Sequence, residues 1–263
     1  MEIKEIYKAV LGMIDLTSLN ATDTYGKIAC MTEKVNRFHA SFPGYALPAS
    51  ICVYPNFAKT VAETRRVEGV HVTVVGGCFP ASQSTLPVKV AECTGAVADG
   101  ADEVDIVLAL NSFLEKNYAE ASREITEIGR ALRAIRTDVV LKVILETGAL
   151  KEKSLIEDAS YLAMEAGADF IKTSTGKMQP AATPEAAQIM CECIRDYYSR
   201  TGRMVGFKPA GGIATPEDAL TYWNIVSDTL GERWLNKTYF RFGASRMANN
   251  LLSAIEGKEI KYY

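Results

Sequence analysis

Three lysines and one aspartate stand where a buried strand should carry apolar side chains. Asp105 interrupts Val104–Val107, Lys142 interrupts Leu141–Leu145, Lys172 follows Phe170-Ile171, and Lys208 follows Val205-Gly206-Phe207. A strand covered on both faces reads as a nearly continuous apolar run. Side chains alternate faces with a period of two, so Glu103, Asp105 and Val107 share one face, as do Lys142, Ile144 and Glu146. Pointing outward, the charges would meet an apolar helix layer. Pointing inward, they can pair with one another. Any one lysine could instead snorkel to water at a strand end. Three lysines and an acid on four strands make that the weaker reading, because burying an unpaired charge costs several kcal/mol.

The chemistry open to such a group is imine formation. A lysine must be neutral to attack a carbonyl, and with a reference pKa of about 10.4 only a tiny fraction is free amine at pH 7. A second ammonium nearby disfavours protonation and lowers that value. An aspartate beside the pair can hold one lysine charged and relay protons through water. The residue pattern alone leaves open which lysine is the nucleophile.

Such residues need a scaffold, and short apolar runs alternating with longer amphipathic stretches predict βα units and a parallel sheet. Strands are expected at Leu11–Thr17, Ser50–Tyr54, His71–Val75, Glu103–Leu108, Val139–Glu146, Asp169–Thr173, Met204–Lys208 and Tyr239–Phe242. Helical patterns lie near 23–38, 57–68, 84–98, 112–134, 152–165, 184–200, 216–230 and 245–255. Thr183-Pro184-Glu185 and Thr215-Pro216-Glu217 each place an N-cap threonine before a proline and an acid, a strong helix start. Eight alternations without a linker predict an α/β fold, a single-domain (β/α)8 TIM barrel over residues 1–263 with a short N-terminal helical extension and a flexible C-terminal tail. An open doubly wound sheet is the alternative. Asp99-Gly100-Ala101-Asp102 and Ala166-Gly167-Ala168-Asp169 repeat one helix-to-strand turn, and five residues beyond each glycine come Asp105 and Lys172. The two groups should therefore reach equivalent heights.

Three small-residue turns follow the late strands: Thr173-Ser174-Thr175-Gly176-Lys177, Ala210-Gly211-Gly212 and Phe242-Gly243-Ala244-Ser245. Small residues let backbone N–H groups approach an anion, and a helix N-terminus adds a favourable field. Barrel enzymes often bind phosphate there, and Lys177 and Arg246 could add charge.

Composition excludes other classes. With 29 basic and 32 acidic residues, net charge −3, and no long Lys/Arg run, nothing points to nucleic acid or an anionic membrane. No apolar stretch approaches the roughly 20 residues that span a bilayer, and the N-terminus lacks a signal-peptide core. A cytoplasmic location is expected. Cys30, Cys52, Cys78, Cys93, Cys191 and Cys193 show no CxxC spacing and read as reduced thiols. Two histidines, His39 and His71, argue against a His-rich metal site.

The matching segments are Asp15-Leu16-Thr17, Ile51-Cys52-Val53-Tyr54-Pro55, Gly100–Asp105, Leu141–Gly148, Gly167–Lys177, Gly206–Gly212 and Arg241–Ser245. On these residues the sequence resembles the deoxyribose-phosphate aldolases, from near residue 13 to the end. The resemblance implies a carbon–carbon lyase of the class I, Schiff-base type, acting in deoxyribonucleoside catabolism without metal or cofactor. Its reaction is reversible cleavage of 2-deoxy-D-ribose 5-phosphate to acetaldehyde and D-glyceraldehyde 3-phosphate. It assigns the imine to Lys172, makes Lys208 the neighbour that perturbs that amine, and makes Asp105 and Lys142 members of a proton relay. Asp15, Cys52, Thr175, Gly176, Lys177, Gly211, Gly212, Gly243 and Ser245 would contact substrate or phosphate. Tyr263 would reach the site for proton transfer, or Tyr262-Tyr263 would form a frayed tail. Partners are then a phosphorylated sugar and aldehydes. Family members are often dimers, so a homodimer is one assembly open to the chain. Arg246 in place of a second serine, the small Gly76-Gly77-Cys78-Phe79-Pro80 loop and Leu108-Ala109-Leu110 depart from the family pattern. They bear on phosphate affinity and aldehyde range. Two rivals are an imine-forming barrel aldolase for another phosphorylated sugar and a catalytically silent phosphate-binding barrel.

Overall fold

The computed structural model describes residues 2–263, so Met1 of the expected domain lies outside them. Its strands are β1 (Ile14–Thr17), β2 (Ser50–Val53), β3 (His71–Gly76), β4 (Glu103–Val107), β5 (Val140–Ile144), β6 (Phe170–Lys172), β7 (Gly206–Lys208) and β8 (Phe242–Ala244). All pairings are parallel, each strand beside the next in the chain, and β1 returns to β8. Bridges Phe207–Phe240 and Ala210–Gly243 join β7 to β8. The ring is thus a (β/α)8 barrel and not the open sheet.

A helix follows every strand: Tyr25–Asn36, Ala58–Thr64, Leu86–Ala98, Tyr118–Ile135, Lys153–Glu165, Pro184–Thr201, Pro216–Leu230 and Arg246–Glu256. Both threonine caps form: Thr183 accepts from the Ala186 N–H at 3.1 Å, and Thr215 and Asp218 make a reciprocal capping box. All eight expected strands form with bounds shifted by one to three residues, and the largest shifts are at the starts of the first and last. Leu11 belongs to the helix Ile3–Leu11, whose buried face is Ile6, Tyr7, Val10 and Leu11. The last strand starts at Phe242 rather than Tyr239, because the Asn236 carbonyl accepts from the N–H groups of Tyr239 (3.1 Å) and Phe240 (2.8 Å), holding that stretch in a turn. No helix among the described residues is long and apolar enough to cross a membrane.

The strand register shows how the interior is filled. An eight-strand barrel staggers its strands, so residues level along the axis come from alternate strands in layers of four. Followed around the ring, the register puts Cys52, Asp105, Lys172 and Gly243 in one layer toward the C-terminal mouth. Beneath it lie Asp15, Thr73, Lys142 and Lys208, and beneath those Ser50, Glu103, Phe170 and Arg241. Asp105 and Lys172 therefore share a height, as their repeated turn implied; Gly100 and Gly167 both sit at φ +102°.

One glycine is required by this packing. A Cβ at Gly206 would lie 2.3 Å from Cε1 of Phe170, whose ring occupies the interior beside it. Gly206→Ala is expected to cost about 1–3 kcal/mol through overpacking, read by urea denaturation. An unchanged midpoint would show that Phe170 has another rotamer available.

Candidate active site

Seven ionisable side chains meet inside the barrel: Asp15, Glu103, Asp105, Lys142, Lys172, Lys208 and Arg241, all buried. Asp105 is the hub. Its Oδ2 accepts from Lys172 Nζ at 2.8 Å and from Lys208 Nζ at 2.7 Å, while Oδ1 accepts from Lys142 Nζ at 2.9 Å. Lys172 and Lys208 are thus on the same side of the strand layer and touch the same oxygen. In the layer below, Lys142 donates to Glu103 at 2.5 Å. Lys208 Nζ is 2.5 Å from Asp15 Oδ2, off the direction of a hydrogen bond, so that contact is electrostatic. Arg241 spans Asp15 (2.6 Å) and Glu103 (2.8 Å). Ser50 and Thr73 donate to Asp15 and Glu103, each at 2.8 Å. The Phe170 ring lies 6.0 Å from Lys142 Nζ and 5.8 Å from the Arg241 guanidinium carbon, within cation–π reach.

These contacts split the lysines into two kinds. Burial works against the charge of Lys208, but Asp105 and Asp15 together overcome it and hold the ammonium well above its ordinary range. Lys142 behaves likewise between Asp105 and Glu103. Lys172 goes the other way: burial lowers it most, Asp105 opposes, and Lys208 adds a further downward push. The cationic neighbour expected from the sequence is present, yet burial is the larger cause. Asp105, against burial, is kept ionised by Lys142, Lys172 and Lys208. Burial pushes the Cys52 thiol up, so it stays protonated beside Lys172.

A cavity of about 430 Å³ opens above the top layer. Of the seven network groups only Lys172 lines it, together with Thr175, Gly176, Lys177, Gly211, Gly212, Gly243 and Ser245. Gly243 holds the fourth place of the top layer with no side chain; a Cβ there would meet Ala210 Cβ at 2.7 Å and Lys208 Cε at 3.3 Å. Lys27, Lys177 and Arg246 add positive charge to the wall, and among the described residues no Asp or Glu side chain lines it. Thr175 is fixed by Glu146, which accepts from its hydroxyl (2.5 Å) and its N–H (3.2 Å). Asp15 and Cys52 sit below this cavity, fully buried.

The chain end also reaches the cavity. Asn249 Oδ1 accepts from the N–H groups of Tyr262 and Tyr263 at 2.9 Å, and its Nδ2 donates to the Tyr263 carbonyl at 2.9 Å. The Tyr263 ring stacks on Phe38, and its buried hydroxyl finds no protein partner among the described residues.

Glu103 and Arg241 complete the web without having been singled out from the sequence. Glu103 had a signal, since it shares a face with Asp105. Arg241 had one too, as a charge inside the expected strand Tyr239–Phe242, and it is buried on the face that Gly243 shares.

Residues 9–223 match the model of the DeoC/LacD family aldolases. An aldolase structure designated QR15 is 28% identical, with 94% of this chain and 96% of that one covered and a TM-score of 0.74. A Coccidioides immitis protein assigned as a deoxyribose-phosphate aldolase is 26% identical over 94% of this chain and 86% of its own, with a TM-score of 0.77. The tetrameric deoxyribose phosphate aldolase of Aeropyrum pernix, 23% identical over 96% of both chains with a TM-score of 0.73, shares the fold. A closed barrel, a buried lysine web opening on one cavity and the family match over most of the chain lead to one conclusion: this chain belongs to the DeoC/LacD family of aldolases.

Proposed function

We propose that this aldolase cleaves 2-deoxy-D-ribose 5-phosphate through a Schiff base on Lys172. One observation carries the reading: Lys172 is the single member of the charged web that lines the cavity, and it is the one whose amine is pushed toward the neutral form.

Lys172 Nζ attacks C1 of the open-chain sugar. The carbinolamine loses water to give a protonated imine, an electron sink. A water aligned by Asp105 and Lys208 takes the proton from the C3 hydroxyl. The C2–C3 bond then breaks, its electron pair moving into the imine to form an enamine, and C3 leaves as the aldehyde of glyceraldehyde 3-phosphate. The enamine takes a proton at C2, a step we assign to the unpartnered Tyr263 hydroxyl, and hydrolysis frees acetaldehyde and the amine. Lys142 keeps Asp105 ionised throughout. The phosphate is assigned to the carboxylate-free end of the cavity, formed by Gly176, Lys177, Gly211, Gly212 and the start of the helix Arg246–Glu256 at Ser245. A cytosolic location accords with this substrate.

Acetaldehyde followed by borohydride tests the reading. Reduction of the imine should leave an N-ethyl group on Lys172, found by peptide mass spectrometry. Folded protein that takes up no label would point to a silent phosphate-binding barrel. Substrate profiling separates the other rival, an aldolase for a different sugar phosphate.

The phosphate assignment has its own expected result. Lys177→Ala should raise KM for 2-deoxyribose 5-phosphate about tenfold, the scale of one lost charged hydrogen bond, while activity on unphosphorylated 2-deoxyribose changes little. Equal losses on both sugars would move Lys177 out of the phosphate site.

A further inference from the structure

The buried web is unbalanced in charge. Its acids are Asp15, Glu103 and Asp105; its bases are Lys142, Lys172, Lys208 and Arg241. His71 also bonds Glu103, at 2.6 Å, but its side chain is 42% exposed and so reaches water. A net charge in a dry interior is expensive, so the favoured state has one base neutral. Arg241 cannot be that base, because a guanidinium does not give up its proton in proteins. Lys142 has Glu103 and Asp105 within 3 Å, at 2.5 and 2.9 Å, and Lys208 has Asp15 and Asp105, at 2.5 and 2.7 Å. Lys172 has Asp105 alone, at 2.8 Å. Around it the other titratable groups are Lys208 and the Cys52 thiol. Lys172 is therefore the surplus base.

Arg241 determines that surplus. It bridges Asp15 on β1 and Glu103 on β4 from the bottom layer, two layers below the reacting amine, and it does not line the cavity. We infer that Arg241 is a positioning residue for the imine step: by saturating Asp15 and Glu103 it leaves Lys172 without a carboxylate of its own, and so keeps that amine free to attack. A forked, permanently charged group suits the role, since it satisfies two carboxylates at once without titrating. The inference rests on the Schiff-base reading of Lys172.

The test is the pH dependence of imine formation with acetaldehyde, trapped by borohydride and quantified by intact mass. Arg241→Met leaves three acids facing Lys142 and Lys208, so Lys172 should hold its proton and the midpoint should rise by about 1–2 pH units, the scale on which a change in the surrounding charge shifts a buried group. Glu103→Gln unbalances the web the other way and should lower the midpoint. The double variant R241M/E103Q removes one charge of each sign and should return it to near the wild-type value. Arg241→Lys, which keeps the cation, should hold the midpoint. Restoration in the double variant is the outcome a merely structural role would not produce. If Arg241→Met does not fold, the directions in E103Q and the double variant decide the matter. A folded R241M with the wild-type midpoint, an E103Q midpoint that rises, or a double variant displaced like a single one would overturn the inference. If wild-type protein forms no adduct at Lys172, the imine reading falls and the role of Arg241 falls with it.

Discussion

Lys172→Met should give a folded barrel whose kcat for 2-deoxyribose 5-phosphate is lower by about 10⁵-fold or more, the scale seen when a covalent nucleophile is removed. The same variant reports on charge. If Lys172 is neutral in the fold, methionine removes no charge from the web, and replacing a buried polar group by an apolar one of similar length is neutral or stabilising. If the amine were charged, its loss would leave Asp105 short of a partner and the barrel would unfold at lower denaturant. Denaturation and turnover measured on one preparation therefore test the nucleophile and its protonation together. Retention of more than a few per cent of the wild-type rate would remove Lys172 from the chemistry. Lys172→Arg should be inactive and also less stable, because it installs a fourth permanent cation among three acids.

Asp105→Asn should have the second largest effect. Asp105 touches Lys142, Lys172 and Lys208, so its neutralisation removes the hub of the web and, in the proposed mechanism, the group that aligns the proton-transferring water. A loss in kcat of about 10²–10⁴-fold is expected for a positioned acid–base group, with a stability cost of about 3–5 kcal/mol for breaking a buried ion pair. The pH dependence follows from the lowered Lys172 and the opposing effect of Asp105. The carboxylate favours the protonated amine; without it Lys172 loses its proton at lower pH, and the acid limb of kcat/KM should move toward acid. Imine formation should survive, so the variant should still take the borohydride label from acetaldehyde while failing to turn over sugar phosphate. Loss of labelling in folded protein, or a limb that moves toward alkali, would contradict this division of labour.

Much of this site was legible before any coordinates. Asp105, Lys142, Lys172 and Lys208 stood out because a buried strand has no ordinary use for a charge, and each lies in the web. The small-residue turns at Gly176, Gly211, Gly212 and Gly243 also fall together around one cavity. Arg241 carried the same signal, as a charge inside the expected last strand; its bridge between Asp15 and Glu103 had none, because it joins strands far apart in the chain. The aromatic run Tyr239-Phe240 looked like strand, but Asn236 holds Tyr239 in a turn and Phe240 makes an isolated bridge to Phe207. The Asn249 clasp on Tyr262 and Tyr263 had no sequence signal, since it joins a helix face to the chain end by side-chain geometry alone.

By itself the sequence determined the alternating βα architecture, the faces on which the charges lie and the imine chemistry they permit. Those properties depend on periods of two and 3.6 residues and on the cost of burying charge, all of which are local. Only the tertiary structure decided which lysine is pushed toward the neutral form and which lines the cavity. That choice depends on the stagger of eight strands, on Gly243 leaving the top layer open above Lys172, and on Arg241 claiming two carboxylates from below. Each joins residues far apart in the chain, and no local pattern encodes their sum.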